Sequence, residues 1–422
     1  MQKLRQIFAV RELRNSIFFV LGILFIYRVL AHIPVPGVDV QQLQAVFLSN
    51  LLLGLINVFS GGGLSNFSIV ALGVSPYITS SIVFQLMTMI IPSWEEMQKD
   101  GEAGQQKLNS WMRWATVPFA FLQAFGFMTL LRQQSQFAIV NNMTTAQVIV
   151  AMIAMTAGSI LLMWMGELIS ERKIGNGLSI MIFAGIIAGL PTGLQQVLVS
   201  YDQSQLLSLV AFVGITLVSI IAIVFMTEGQ RNIPVSYARV SRTTGSSVDS
   251  HLPIRVNMTG VIPIIFAVSV ILFPPTIAQF LFSAQNPAVV QAAQAVYNFF
   301  QDQFYYAIIY FVLVFAFTFF YSSVVFKPEQ VAENLQKQGA FIPGIRPGKP
   351  TEQYLQFIVN RVLLAGALFL SIIAILPNIA QYFTGIQTLT VGGTSILIVV
   401  GVVIEIVQQI NAKLTMHNYE NL

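Results

Sequence analysis

The sequence predicts an all-α membrane protein with about ten transmembrane helices, broken early in the chain by a re-entrant segment. Three observations carry this expectation. Of the 422 residues, 55% are hydrophobic and only 9% are charged, and the mean hydropathy is +0.73. A soluble domain carries about a quarter charged residues, so this surface needs lipid to cover it. Apolar runs of roughly 20 residues, the length a helix needs to cross a bilayer, recur along the chain. Finally, Lys and Arg gather in alternate connections between those runs. There are no cysteines, which excludes a disulfide framework, a thiolate metal site and a thiol nucleophile.

The first element is basic. MQKLRQIFAVRELRNSIFF leads into an apolar run without the small-residue cleavage site of a signal peptide, which predicts a retained first helix with an amphipathic lead-in. Runs suited to spanning lie near 16–33, 76–92, 114–131, 146–168, 178–198, 206–226, 259–281, 304–326, 358–376 and 391–410. Placing the N-terminus in the cytosol puts Lys3, Arg5, Arg11, Arg14, Lys99, Lys107, Arg113, Arg172 and Lys173 inside. The later inside segments hold Arg231, Arg239, Arg242, Arg255, Lys327, Lys337, Arg346, Lys349, Arg361 and Lys413. Of the 21 Lys and Arg, only Arg28 and Arg132 fall outside, and the outer connections around Asp202, Asp302 and Pro377 hold none. This is the positive-inside pattern. Shifting the count by one span scrambles it, so both termini are expected in the cytosol.

The two longest charged segments, 227–258 and 327–357, are also inside. They interrupt the hydrophobic pattern by more than a turn requires, and long ordered connections are usually functional. Their Arg content suits acidic protein surfaces or ribosomal RNA phosphates, which predicts a docking surface.

The membrane interior holds little that does chemistry. Glu167, Glu171 and Glu405 sit near cytosolic helix ends, Arg28 near an outer end, and His32, His251 and His417 at span ends or in loops. No histidine is placed to serve a buried serine as a general base. Neither a GxSxG elbow nor a GxxxxGK[ST] phosphate loop is present. The expectation is no enzyme, no cofactor and no metal. A secondary transporter built from inverted repeats is the rival reading, but it needs polar or ionisable groups at the midplane. An intramembrane protease is a third.

Residues 51–75, LLLGLINVFSGGGLSNFSIVALGVS, are apolar yet broken by Gly61, Gly62, Gly63 and Gly73. Glycine costs about 1 kcal/mol against alanine in a helix interior, so a continuous span here is disfavoured. Phe59, Phe67, Ile69, Val70 and Leu72 are poor choices for a solvated loop. Irregular backbone at membrane depth is tolerated only when buried in protein or lining a cavity. A re-entrant half-helix that stoppers a pore, low enough in local stability to leave, is the reading these residues favour.

Several long motifs now carry a resemblance. VFSGGGLSNFSIVALGVSPYITSSIVFQL (58–86), GELISERKIGNGLSIMIFAGIIAGLP (166–191), HLPIRVNMTGVIPIIFA (251–267), AFIPGIRPGKPT (340–351) and GGTSILIVVGVVIE (392–405) are similar, in order, to the SecY family of protein-conducting channels. The resemblance implies two five-helix halves related by inverted pseudosymmetry, 1–200 and 201–422, in the bacterial inner membrane. It implies a plug over about 58–74, including Phe59, Ser60, Gly61, Gly62, Gly63, Leu64 and Phe67. It implies a pore ring of Val74, Ile78, Leu178, Ile182, Ile265 and Ile398, in which Val74 and Leu178 replace the commoner isoleucines. The pairs 74/78 and 178/182 are spaced i,i+4 and so share a helix face. A lateral gate would run between the second and third spans and the seventh and eighth, with Thr79, Gln85 and Asn257 as polar contacts. Arg239, Arg242, Arg255 and Arg346 match positions where the family docks the SecA ATPase or the ribosome. SecE-like and SecG-like small membrane subunits, signal peptides, unfolded preproteins and the lipid bilayer complete the implied partners.

Overall fold

The computed structural model describes residues 8–35, 60, 62–64, 66–133, 144–199, 206–237, 250–282, 284–384 and 388–420. In chain order the N-terminal helices are α1 (Arg11–Leu30), α2 (Ser75–Ile90), α3 (Pro92–Lys99), α4 (Glu102–Gln133), α5 (Thr145–Glu171) and α6 (Gly177–Val199). Then come α7 (Leu206–Glu228), strands β1 (Gln230–Tyr237) and β2 (Ser250–Arg255), α8 (Ile262–Leu281), α9 (Pro287–Gln301) and α10 (Gln303–Val325). The chain continues through α11 (Pro328–Lys337), β3 (Ala340–Phe341), α12 (Lys349–Thr384) and α13 (Thr388–Glu420).

Every one of the ten apolar runs falls on a helix. By length and composition, six stretches among the described residues suffice to cross a membrane, within α1, α5, α8, α10–α11, α12 and α13. The shorter apolar helices Gly177–Pro191 and Val213–Glu228 lie in α6 and α7. α2 has only 16 residues and is entered directly from the irregular segment.

Local chemistry marks the helix ends. Thr144 and Gln147 form a reciprocal capping box on α5, with Thr144 N–H donating to Gln147 Oε1 at 2.8 Å. Asp302 accepts from the backbone N–H of Phe304 (2.9 Å) and Tyr305 (3.4 Å) to start α10. Asn176 does the same for Leu178 and Ser179 at the head of α6.

The helices pack so that α1, α2, α4, α5 and α6 are linked in one group, and α7, α8, α10, α12 and α13 in another. The groups touch along two seams, α8 against α2 and α4, and α13 against α6. A large apolar core fills the space between.

The two charged segments 227–258 and 327–357 differ from the expectation of loops. They meet in one antiparallel sheet of order β2-β1-β3, with Ile233 opposite Leu252 and Ser236 opposite Phe341. Ile233, Ile254 and Ile342 pack on Leu355, Ile358 and Val359 of α12, so the sheet has its own core. Helices α11 and α12 begin inside 327–357, and α9 forms in the connection after α8. These helices are amphipathic rather than wholly apolar, so a search for continuous runs passes over them. Ile233→Ala is expected to cost about 2–5 kcal/mol at this joint, read as faster limited proteolysis of both charged segments with the spans intact.

A candidate plugged pore and its gate

The irregular segment is buried. Phe67, Ser68, Val70 and Ala71 are 0% exposed, and Leu64 is 1% exposed. Its described residues form successive turns rather than the expected half-helix. Gly62 (φ 77°), Phe67 (φ 45°) and Gly73 (φ 59°) lie in the left-handed region, which no continuous right-handed helix accommodates. For phenylalanine that conformation is strained by about 1–3 kcal/mol, and the site must hold it in place. Phe59 and Gly61 lie outside the described residues.

Two sets of contacts hold the segment. Toward α1, Val35 N–H donates to Phe67 O (2.8 Å) and Ile69 N–H to Ile33 O (3.1 Å), a short antiparallel clip around Pro34 and Ser68. Tyr27 hydroxyl donates to Ser60 O (3.1 Å), and Asn66 Nδ2 to Ala31 O (3.4 Å). Toward α4 and α5, Leu64, Phe67, Ala71 and Leu72 share a cluster with Phe127, Met128, Met152 and Met155. The Phe67 and Phe127 rings stack at 5.9 Å. Within the segment, Gly63 O accepts from Ser68 N–H at 2.8 Å and Ser60 Oγ from Leu64 N–H at 3.0 Å.

Val74, Ile78, Ile182, Ile265 and Ile398 all fall in one buried apolar cluster, with half-buried Leu178 packed against it. They come from the heads of α2, α6 and α8 and from α13. Val74 is the cap residue of α2, so the segment runs directly into this cluster. At the head of α6 a glycine pair brings α5 and α6 close: a Cβ on Gly177 would lie 1.8 Å from Gly166 O. Leu178 Cδ2 would then lie 3.1 Å from a Cβ on Gly166.

The predicted gate contacts are arranged differently from the expectation. Thr79 Oγ1 donates to Ser75 O (3.0 Å) and accepts from Gln123 Nε2 (3.2 Å), which ties α2 to α4 on one side of the seam. Asn257 Oδ1 accepts from the nearby Thr259 hydroxyl at 3.3 Å. Gln85 Oε1 is buried without a hydrogen-bond partner among the described residues. No hydrogen bond of these three therefore crosses from α2 to α8 among the described residues. The seam instead holds an apolar cavity of about 790 Å³, lined by Ile82 and Leu86 of α2, Phe273 and Ile277 of α8, and Ala292 and Val296 of α9. Thr79 and Ser269 also line it, but both hydroxyls donate within their own helices.

At the end of the molecule that carries the sheet, Arg346 is exposed in a loop between Gly344 (φ 83°) and Gly348 (φ 95°), with its carbonyl fixed by the Thr351 hydroxyl at 2.9 Å. Arg255 donates to Gln408 Oε1, and Gln408 Nε2 donates to Glu228 Oε1 at 3.0 Å, which links β2, α13 and the end of α7. Arg239 and Arg242 lie outside the described residues. Among the described residues no cluster of His, Asp or Glu is arranged to hold a metal. Sequence reasoning missed Tyr27, Phe127 and the α9 wall of the cavity. Only the amphipathic pattern of α9 was a legible signal.

A profile of the SecY family matches residues 68–407. The chain is 40% identical to the protein translocase subunit SecY of Mycobacterium tuberculosis, over 97% of this chain and 96% of that one. It is 39% identical to the same subunit of Corynebacterium glutamicum over 100% of both chains. Among solved structures it resembles a protein-conducting channel with a TM-score of 0.64 and 17% identity, over 93% of this chain and 91% of that one. It also resembles a SecY structure whose plug domain is described as stabilising that channel's closed state, with a TM-score of 0.65, 18% identity and the same coverage.

Tyr27→Phe removes one anchor of the irregular segment. It is expected to weaken that attachment by about 0.5–1.5 kcal/mol, seen as several-fold faster amide hydrogen exchange across residues 60–70.

Proposed function

The chain belongs to the SecY family of multi-pass, non-enzymatic protein-conducting channels, and from that premise we propose how its pore is closed and opened. Residues 60–74 are the plug. Val74, Ile78, Leu178, Ile182, Ile265 and Ile398 are the constriction beside it, joined in one charge-free apolar cluster. Branched aliphatics seal around a moving chain without binding any one of its side chains, and a dry constriction resists ions by dewetting. The observation that carries this reading is the plug itself: buried, non-helical backbone that runs straight into the ring at Val74.

The halves 1–200 and 201–422 separate along the seam between α2 and α8. Its apolar cavity receives the hydrophobic part of a signal peptide or a membrane segment, and the gate is held by apolar contact rather than by hydrogen bonds across it. Interhelical hydrogen bonds within membranes contribute only about 0.6 kcal/mol on average, so a seam that Thr79, Gln85 and Asn257 do not bridge among the described residues loses little hold. Thr79, Gln85 and Asn257 tune the helices on either side.

The sheet built by 227–258 and 327–357 is the docking face for a SecA-like ATPase or a ribosome. Arg346 is its exposed basic point, and Arg255 braces the sheet to α13. The energy for export comes from such a partner, because the chain carries no phosphate-binding loop. SecE-like and SecG-like subunits clasp the halves in the bacterial cytoplasmic membrane, with both termini in the cytosol.

Two experiments test this. Cysteines at positions 67 and 127, introduced into a chain with none of its own, bring thiols to two rings that stack at 5.9 Å. Joining them with a short cleavable bifunctional reagent is expected to abolish transport of a secreted substrate into vesicles, and cleavage to restore it. Undiminished transport through confirmed cross-linked protein counts against the plug. Arg346→Glu is expected to lower ATP-driven export about tenfold while the channel still inserts, the size of effect a reversed docking charge produces.

A further inference from the structure

The interior of α5 contains a glycine, Gly158, buried among Met155, Ser159 and Leu162. Glycine inside a helix is disfavoured against alanine, and a buried one needs a reason. Here the reason lies in the plug. A Cβ built on Gly158 would stand 2.0 Å from the carbonyl oxygen of Ile69 and 2.7 Å from its carbonyl carbon, with Val70 N at 3.2 Å. The plug's main chain therefore crosses α5 at a point where the helix has no side chain. The hydrogen that takes the place of a Cβ points at the Ile69 oxygen, which gives a weak Cα–H···O contact in place of a clash.

The crossing is not fastened by side-chain polar bonds. Ser159 Oγ on α5 and Ser68 Oγ on the plug are both buried, and neither finds a hydrogen-bond partner among the described residues. The strong bonds of the plug run the other way, to the end of α1 through Ile33, Val35 and Tyr27. So one side of the plug is tied and the other is only seated.

Resting on the reading of residues 60–74 as a plug, we propose that Gly158 is a positioning residue, a socket in α5 whose missing side chain sets how deeply the plug closes the pore. The clip to α1 is the tether and the Gly158 crossing is the seat. Opening lifts Ile69 off α5 by breaking packing alone, while the tether keeps the plug close enough to return. Any side chain at 158 pushes the plug toward the unseated state.

The chain's lack of cysteine supplies the reporter. Ser68→Cys is nearly isosteric, and its hydroxyl has no hydrogen-bond partner to lose among the described residues. In sealed vesicles, labelling of that thiol by a membrane-impermeant maleimide is expected to be about tenfold faster or more once Gly158→Ala is added, as an overpacked contact shifts the opening equilibrium. Gly22→Ala in α1, where a Cβ meets nothing within 4 Å, is the matched control and should leave labelling unchanged. Ion leak from the same vesicles should rise with Gly158→Ala.

Unchanged labelling in folded Gly158→Ala protein overturns the seat. Faster labelling with no added leak supports the seat but sinks the plug reading on which it rests. If Gly158→Ala protein does not accumulate, the substitution is repeated in a chain lacking residues 60–70. Recovery there supports the seat, since the clashing carbonyl is gone, and continued failure overturns it.

Discussion

Backbone polar groups have no water to bind inside a bilayer, and each one left unpaired costs several kcal/mol. The rest of this structure depends on how residues 60–74 meet that constraint without forming a helix. Their amides and carbonyls pair within short turns and with the chain that leaves α1, as in Ile69 N–H to Ile33 O and Val35 N–H to Phe67 O. Because those partners are local and few, the segment is paired at these points yet weakly held. A full helix would be satisfied, but it would have no ready way to leave.

The seal and the stopper are built from opposite materials. The proposed ring uses branched aliphatics from four separate stretches of chain, buried at 1–4% exposure except for half-buried Leu178. These six side chains carry no polar group with which to grip a passing chain. The plug segment instead carries strain at Phe67 and a buried serine without a partner among the described residues, both of which lower the work of moving it. The apolar cavity at the α2–α8 seam applies the same logic sideways, since packing against a dry crevice is exchanged readily for another apolar surface.

Much of this was legible in the sequence. The apolar helices follow from run length, because hydropathy acts locally and needs no knowledge of packing, and the same locality lets the placement of Lys and Arg set an expected direction. The glycines at 62, 63 and 73 announced irregular backbone at membrane depth, and that part of the reading stands. Over the described residues 66–74 turns stand in place of a half-helix, because a left-handed Phe67 cannot be foreseen from residue type: phenylalanine adopts it only where Phe127 and the α1 clip enforce it. The partners of the proposed gate residues were illegible for a related reason. Thr79 faces both Gln123 and the seam, and which partner it takes depends on the rotation of α2.

By itself, the sequence determined a cysteine-free helical membrane protein with basic connecting segments, an apolar interior and a broken stretch before the second span. Each of these is a sum over neighbouring residues, so order along the chain is enough to state it. Only the tertiary structure decided that 227–258 and 327–357 join in one sheet, that six aliphatics from distant segments share a cluster, and that Ile69 crosses α5 at Gly158. Those are meetings between elements remote in sequence. They are set by how helices cross in three dimensions, where a difference of one ångström separates a contact from a clash.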